Sequence, residues 1–151
     1  MRGFFTGWGI RILIIAVIAG GALIFRDKLT GNAGDLKVGD CYDSPAGTAE
    51  IEDVQHHPCN ESHTAEVVFV GKMTGEDNAY PTDTAIDAWV TSNCEAPWTA
   101  YTGKNPRTDA DFSLYYYAPT SDGWGKGDRG VVCFARRLDG APMTSSLRAA
   151  Q

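Results

Sequence analysis

The chain has 151 residues, of which 43% are hydrophobic, and its formal net charge at pH 7 is −6. Residues 1–30 contain four basic residues and one acidic residue, whereas residues 31–151 contain nine basic and eighteen acidic residues. The acidity of the larger part argues against nucleic acid and anionic lipid as partners, because both are bound by clusters of Lys and Arg.

An uncharged apolar run extends from Ile12 to Phe25 and is interrupted upstream only by Arg11. Crossing a bilayer takes roughly 20 apolar residues, and the segment reaches this length if it begins near Phe4. Arg11 then lies near a helix end, where its long side chain can reach the headgroups. We predict a transmembrane helix over about residues 4–25; a cleaved signal peptide and a buried core helix are the alternatives.

All four cysteines lie downstream of this segment. Disulfides persist outside the cytosol, so we expect a single-pass cell-membrane protein with a cytoplasmic N-terminus and an extracytoplasmic C-terminal domain. Residues 31–34 predict a flexible linker and residues 35–138 one folded domain. Residues 139–151 are small, polar and aperiodic, which predicts a disordered tail.

Several segments of the domain have the alternating pattern that predicts β-strands. The three strongest are residues 64–73, 112–118 and 130–137, and the two weaker ones are residues 38–42 and 51–55. In the first of these, Phe69 is expected on one face and Val68 and Val70 on the other, which is typical of a central strand.

One amphipathic helix is predicted over residues 82–94. Its apolar face is formed by residues at helical spacing: Ile86, Trp89, Val90 and Cys94. Thr82 or Asp83 is expected to cap its start, and a second short helix is expected over residues 97–102. Together the elements predict an α+β fold, a small antiparallel sheet of four or five strands with one main packed helix.

Four cysteines allow three pairings. Cys41 and Cys59 bracket a polar stretch, whereas Cys94 lies on the apolar helix face and Cys133 is central in the last strand. We therefore predict the disulfides Cys41–Cys59 and Cys94–Cys133. The second of these would join the helix to the sheet.

A zinc site is the alternative for the segment that contains His56, His57, Cys59 and His63. Zinc sites usually have closely spaced ligand pairs at two places in the chain, and there is no C-x-x-C here. The sequence therefore indicates no metal and no cofactor, and His63 is expected to bond the turn that enters the following strand.

A catalytic pair is suggested by the H-x-x-E spacing of His63 and Glu66. On a strand, residues three apart point to opposite faces, which disfavours this pair. The usual nucleophile and phosphate-binding motifs are also absent. We predict that the protein is not an enzyme; a hydrolase using His63 with Glu66 or Asp128 is the weakest alternative.

The segment over residues 121–130 has four glycines and predicts an irregular hairpin. Trp124 within it is either a lid on the core, with Asp128 and Arg129 making structural hydrogen bonds, or an exposed anchor for a partner. Tyr115 and Tyr117 leave a similar choice between a structural role and a surface patch.

The motifs of the domain follow one another in a fixed order. They are Val38-Gly39-Asp40-Cys41, Val54, Cys59 with His63 and Glu66-Val67, Tyr80-Pro81, Cys94, Tyr101, Tyr117 with Pro119, and Trp124 with Gly127-Asp128-Arg129 and Cys133. This order over residues 35–138 resembles the septum-formation domain of actinobacterial membrane proteins. The resemblance implies a membrane-anchored protein with a role in septum formation during cell division, and it implies no reaction or ligand.

The sequence thus predicts a non-enzymatic membrane protein whose extracytoplasmic domain binds a protein or cell-wall partner in septum formation. The alternative is an extracytoplasmic sensor or ligand-binding module that uses Tyr115, Tyr117 and Trp124. That alternative requires a concave pocket lined by aromatic side chains.

Overall fold

The computed structural model describes residues 30–45, 53–74 and 79–150. The transmembrane helix predicted over residues 4–25 lies outside these ranges. Within them, none of the helices has the length and apolar character needed to cross a membrane.

Six antiparallel strands form one curled sheet. They are β1 (Thr30–Asn32), β2 (Cys41–Asp43), β3 (Asp53–His57), β4 (Ala65–Lys72), β5 (Phe112–Tyr117) and β6 (Gly130–Arg137). Their spatial order is β1-β3-β2-β4-β6-β5. Five of them lie within residues 35–138, as predicted. Residues 31–34, predicted as a linker, instead belong to the edge strand β1 and a 3-10 turn at Ala33–Asp35.

The main helix, α1, runs without a break over Asp83–Thr102, so the predicted division into two helices is wrong. Its start is capped as expected, because the Thr82 hydroxyl accepts the Ala85 N–H. Pro97 removes one N–H from the helix. However, Cys94 and Trp98 on either side of it are fully buried, and this packing offsets the missing hydrogen bond.

A β-bulge in β4 changes which side chains face α1. The register with β6 shifts between Val67 and Phe69, which leaves Val68 as the extra residue. Val68 and Phe69 therefore both pack on the α1 side, whereas a strict alternation placed them on opposite faces. Val67 packs on the other face.

The sheet is buried on both faces. On one face α1 contributes Val90 and Trp98 to the larger core cluster. On the other face, Leu36 next to the 3-10 turn packs with Tyr42 and Phe134 in a second cluster. The curl of the sheet thus encloses a small core on the side away from α1.

The C-terminal segment, residues 139–150, packs on the domain, so the predicted disordered tail is wrong over this range. Met143 pairs with His63 as an isolated antiparallel bridge, and the Ala149 N–H donates to the Tyr101 carbonyl at 2.8 Å. Met143 and Leu147 join the core on the α1 side. Met143 and Leu147 are too far apart from other apolar residues to form a helical or strand periodicity, so the sequence pattern could not indicate this packing.

The hydrogen bond from the Tyr116 hydroxyl to Asp87 Oδ1, 2.6 Å long, joins β5 to α1. This bond, followed by burial, raises the pKa of Tyr116 to about 12 from its usual 10.0. The bond therefore contributes stability below about pH 10, and this contribution is lost as the pH rises through about 12. In an absorbance titration of the folded protein, we expect Tyr116→Phe to remove a late tyrosinate step near that pH. Coincident titrations of the variant and its parent would contradict this assignment.

Candidate functional site

Both predicted disulfides are present. Cys41–Cys59 joins β2 to the turn after β3, with the Cα atoms 5.2 Å apart. Cys94–Cys133 joins α1 to β6, with the Cα atoms 6.2 Å apart. Because no cysteine is left as a free thiol, none of the four is available as a nucleophile.

His63 is completely buried, and its side chain forms a hydrogen bond with the turn before β4, as predicted. Its Nδ1 lies 2.8 Å from the Glu61 carbonyl oxygen. A carbonyl only accepts, so Nδ1 carries the proton and donates. Nε2 has no hydrogen-bond partner among the described residues.

Glu66 is also completely buried, and its carboxylate accepts three hydrogen bonds. The hydroxyls of Tyr101 and Ser146 each donate to Oε1 at 2.6 Å, and the Leu147 N–H donates to Oε2 at 2.7 Å. None of these donors is His63, in line with the strand alternation that disfavoured a His63–Glu66 pair. Glu66 instead fastens the C-terminal segment to the sheet.

The hydroxyl of Tyr101 is fixed in position by its hydrogen bond to the Glu66 carboxylate. Burial, and then the hydrogen bond to Glu66, raises the pKa of Tyr101 above its usual value. The Arg148 guanidinium lies over the Tyr101 ring, 4.8 Å from its centroid. The buried carboxylate, the tyrosine and the C-terminal segment therefore form one structural unit.

The histidines of the zinc alternative lie beside carboxylates. His57 Nε2 is 2.9 Å from Asp43 Oδ2, and His56 Nδ1 is 4.0 Å from Asp40 Oδ2. Each of the two adjacent histidines therefore lies beside a different aspartate. They do not bring His56 and His57 together with Cys59 as a ligand set.

A different group of possible ligand atoms, from Cys41, Cys59 and Glu66, lies within 4.8 Å of one another. Zinc is bound by the thiolate form of cysteine. Here the two sulfurs are joined in a disulfide, and the carboxylate already accepts three hydrogen bonds. This group does not suit a metal ion in the oxidised protein.

The glycine-rich segment contains a short helix, α2 (Ser121–Gly125), capped by Thr120, where an irregular hairpin was predicted. Trp124 in this helix is only 4% exposed and belongs to the core. It is therefore the predicted lid and not an exposed anchor. Asp128 Oδ1 accepts the Gly130 N–H at 2.8 Å, which closes the loop into β6.

Tyr115 and Tyr117 lie on the sheet face away from α1, on either side of the Phe134 ring. The ring centroids are 6.0 Å and 4.5 Å from that of Phe134, respectively. Tyr115 is 39% exposed, whereas Tyr117 is partly buried and its hydroxyl is 3.0 Å from Ser44 Oγ.

A cleft of about 590 Å³ opens on this same face, where β4 and β5 end and β6 begins. We call it the sheet cleft. The residues that line it include the apolar Val70, Val132 and Tyr117, the small Ala33 and Gly34, and the charged residues Lys72, Asp128 and Arg129. The sheet cleft thus brings together three predicted candidates, Tyr117, Asp128 and Arg129.

The sequence of this domain matches a known family. A family model described as septum formation matches residues 38–150, about three quarters of the chain. The chain belongs to this family. A search of curated proteins and a search of solved structures found no match.

The matched range of the septum-formation domain extends beyond residue 138, where the predicted domain ended. It includes the C-terminal segment, in agreement with the packing of that segment around Glu66. The predicted domain boundary therefore left out Ser146 and Leu147, which supply two of the three donors to the buried carboxylate.

Lys72 is the charged cleft residue of the septum-formation domain that the sequence did not suggest. A single lysine at the end of a strand belongs to no motif. It joins the cleft only because β4 and β6 pair with Lys72 opposite Gly130, next to Arg129. That register is a long-range property which the sequence pattern did not specify.

Proposed function

We propose that this septum-formation protein is a non-enzymatic, single-pass membrane protein that binds a protein or cell-wall partner during cell division. The sheet cleft is the proposed binding site. The observation that carries the proposal is its composition, an apolar and aromatic surface bordered by charged residues. Such a surface is typical of binding sites that combine contact area with a few orienting polar groups.

The environment of the buried polar residues supports a binding role over a hydrolytic one. His63 and Glu66 are both 0% exposed, and each makes hydrogen bonds that hold the fold together. Asp128 lies in the sheet cleft and is exposed, so it is far less confined than the buried pair. The burial of His63 and Glu66 and their structural hydrogen bonds therefore support a binding role over general acid/base catalysis by this pair.

The predicted topology would hold the cleft close to the membrane. The two disulfides suit an extracytoplasmic domain, and the predicted anchor ends at Phe25. Ala33 in the cleft wall lies eight positions after Phe25 in the sequence, which limits their distance to about 30 Å even for an extended chain. We therefore expect a partner that is reached at the membrane surface.

The alternative of a sensor or ligand-binding module is favoured by the same cleft. The cleft is concave, and its volume of about 590 Å³ suits a small ligand. Of the three aromatic residues first suggested for that role, only Tyr117 contributes. The two functions differ in whether the occupant is a small soluble molecule or part of a septal partner.

The proposal is tested with the full-length protein carrying a fluorescent tag in growing cells. We expect the signal to concentrate at division sites. A photocrosslinking residue at position 72 should join the protein to septal material, and the same residue at position 126, outside the cleft lining, is the matched control. An even distribution around the cell would refute the septal role, and equal crosslinking from both positions would refute the binding site.

A further inference from the structure

Strand β5 has one open backbone edge. It is the last strand in the sheet order, and among the described strands it pairs only with β6. The Leu138 N–H donates to the Asp111 carbonyl, and this bond sets the alternation of the ladder, so the odd-numbered residues of β5 bond to β6. The N–H and C=O groups of Leu114 and Tyr116 therefore point away from β6. No residue in the described ranges forms a backbone hydrogen bond with them.

The sequence of β5 does not protect this edge. Proteins usually protect an edge strand with a proline, a charged residue, a bulge or a very short strand. The six residues Phe112–Tyr117 include no proline, glycine or charged residue, and they pair with β6 in a regular register. Four of the six are aromatic, and aromatic residues favour strands. The edge therefore suits the addition of one more strand from a binding partner.

Two carboxylates of α1 lie beside the open edge. Asp87 Oδ1 accepts the Tyr116 hydroxyl of β5, whereas Trp89 on another side of α1 contacts Phe69 of β4. Asp83 lies one turn before Asp87 on the same side of the helix, and its charge also raises the pKa of Tyr116. Within the part of the chain that the structure describes, neither aspartate forms an ion pair. An added strand would thus meet two negative charges on the α1 side.

The other face of the edge is aromatic. Tyr115 is 39% exposed, and its ring stacks on Phe134 with the centroids 6.0 Å apart. The Arg136 guanidinium lies 5.3 Å from the centroid of the Tyr115 ring. Because this face already has a cationic group, an added strand should place apolar side chains here, where they can pack against Tyr115.

The charges disfavour a second copy of the chain as the added strand. If β5 paired with its own copy in antiparallel orientation, the two α1 helices would lie on the same side of the joined sheet. Asp83 and Asp87 of each copy would then approach those of the other, and like charges this close repel. Each chain also has a net charge of −6. The occupant is therefore a different chain with basic residues.

We propose that the open edge of β5 binds an extended segment of a partner protein as an added antiparallel strand in which basic and apolar residues alternate. The basic side chains lie toward Asp83 and Asp87, and the apolar ones contact Tyr115. Opposite residues of an antiparallel pair have their side chains on the same face, so the basic residues are also the ones that bond to Leu114 and Tyr116. Neither of these two residues lines the sheet cleft, so the inference adds a second interaction surface to the proposed function.

Hydrogen exchange of the full-length protein, followed by nuclear magnetic resonance, tests the open edge directly. In the free protein, the amides of Leu114 and Tyr116 should exchange quickly, whereas the amide of Tyr115 should exchange slowly because it bonds to β6. The probe is the peptide Ac-Lys-Val-Lys-Val-Lys-Val-Lys-NH2. At saturation it should slow exchange at Leu114 and Tyr116 roughly tenfold or more. Slow exchange at both amides before the peptide is added would mean that the edge is already covered, and would overturn the inference.

Modified peptides separate strand pairing from charge attraction. N-methylation of the two inner lysine residues should abolish binding, because it removes the N–H groups that face β5. N-methylation of two valine residues should be tolerated, because their N–H groups point away. The peptide with glutamate at every lysine position should bind roughly tenfold more weakly or less well still. Equal effects of the two methylations, or equal binding of the basic and acidic peptides, would contradict the proposed pairing.

Asp83→Asn is the matched test on the protein, since Asp83 is exposed. It should weaken binding of the basic peptide about threefold, whereas Asp35→Asn, the same charge change in the 3-10 turn before β2, should leave it unchanged. If the acids serve only to keep the edge from pairing, no peptide binds and the inference is wrong. Septal localisation is a separate outcome: a protein that binds the peptide but is spread evenly around the cell keeps this inference and loses the septal role.

Discussion

Replacing Glu66 with alanine is expected to lower the free energy of unfolding by about 3–5 kcal/mol. The carboxylate accepts from Tyr101, Ser146 and the Leu147 N–H in a site with no solvent exposure. Removing it leaves these donors without their acceptor and leaves a cavity as well. Chemical denaturation of the full-length protein measures the loss.

The same substitution should release the C-terminal segment before the rest of the domain. Hydrogen exchange at the amide of Leu147 is expected to accelerate far more than exchange at amides in β6, because Leu147 donates directly to Glu66. Uniform acceleration across both regions would show that Glu66 supports the whole domain equally, contrary to a role as the anchor of this segment.

Two further variants separate the hydrogen bonds from the general effect of losing an acid. Tyr101→Phe removes one of the three donors and should cost about 1–3 kcal/mol. Glu95→Ala is the matched control, because Glu95 pairs with the exposed Arg107 and solvent screens such a pair so strongly that its loss should change stability little. A Glu66→Ala variant as stable as Glu95→Ala would contradict the assigned role.

The parts of the fold that were predicted correctly depend on local patterns. Strand β6 was predicted with its observed bounds, and the cap is Thr82, one of the two residues predicted for it, because a hydroxyl just before a helix can accept an N–H of the first turn. The disulfide pairing followed from placing Cys94 on the apolar helix face and Cys133 within a strand. Each of these inferences needed only a few neighbouring residues.

The parts that were missed depend on contacts between distant residues. Glu66 and Leu147 are 81 positions apart, so no local pattern connects the buried carboxylate with the C-terminal segment. The continuity of α1 through Pro97 likewise depends on burial of Trp98, which packing against the sheet provides. For the candidate site, Tyr117, Asp128 and Arg129 were identified, whereas Lys72 required knowledge of the strand register.

Removing the Cys94–Cys133 disulfide by substituting both residues with alanine is expected to cost more stability than removing Cys41–Cys59. The bridges have sequence separations of 39 and 18 residues. Loop-closure entropy then gives about 4 kcal/mol for the first and about 3 kcal/mol for the second. Cys94 and Cys133 are also both 0% exposed, so their truncation leaves a cavity between α1 and β6, which enlarges the difference.

Denaturant unfolding of the two double variants, each compared with the full-length parent under oxidising conditions, measures this order. Cys59 is partly exposed and Cys94 and Cys133 are not, so a mild reductant should open Cys41–Cys59 in the folded protein first. Cys94–Cys133 should become reducible only as the domain unfolds. Equal losses of stability together with simultaneous reduction would mean that burial of the helix-to-sheet bridge does not distinguish the two disulfides.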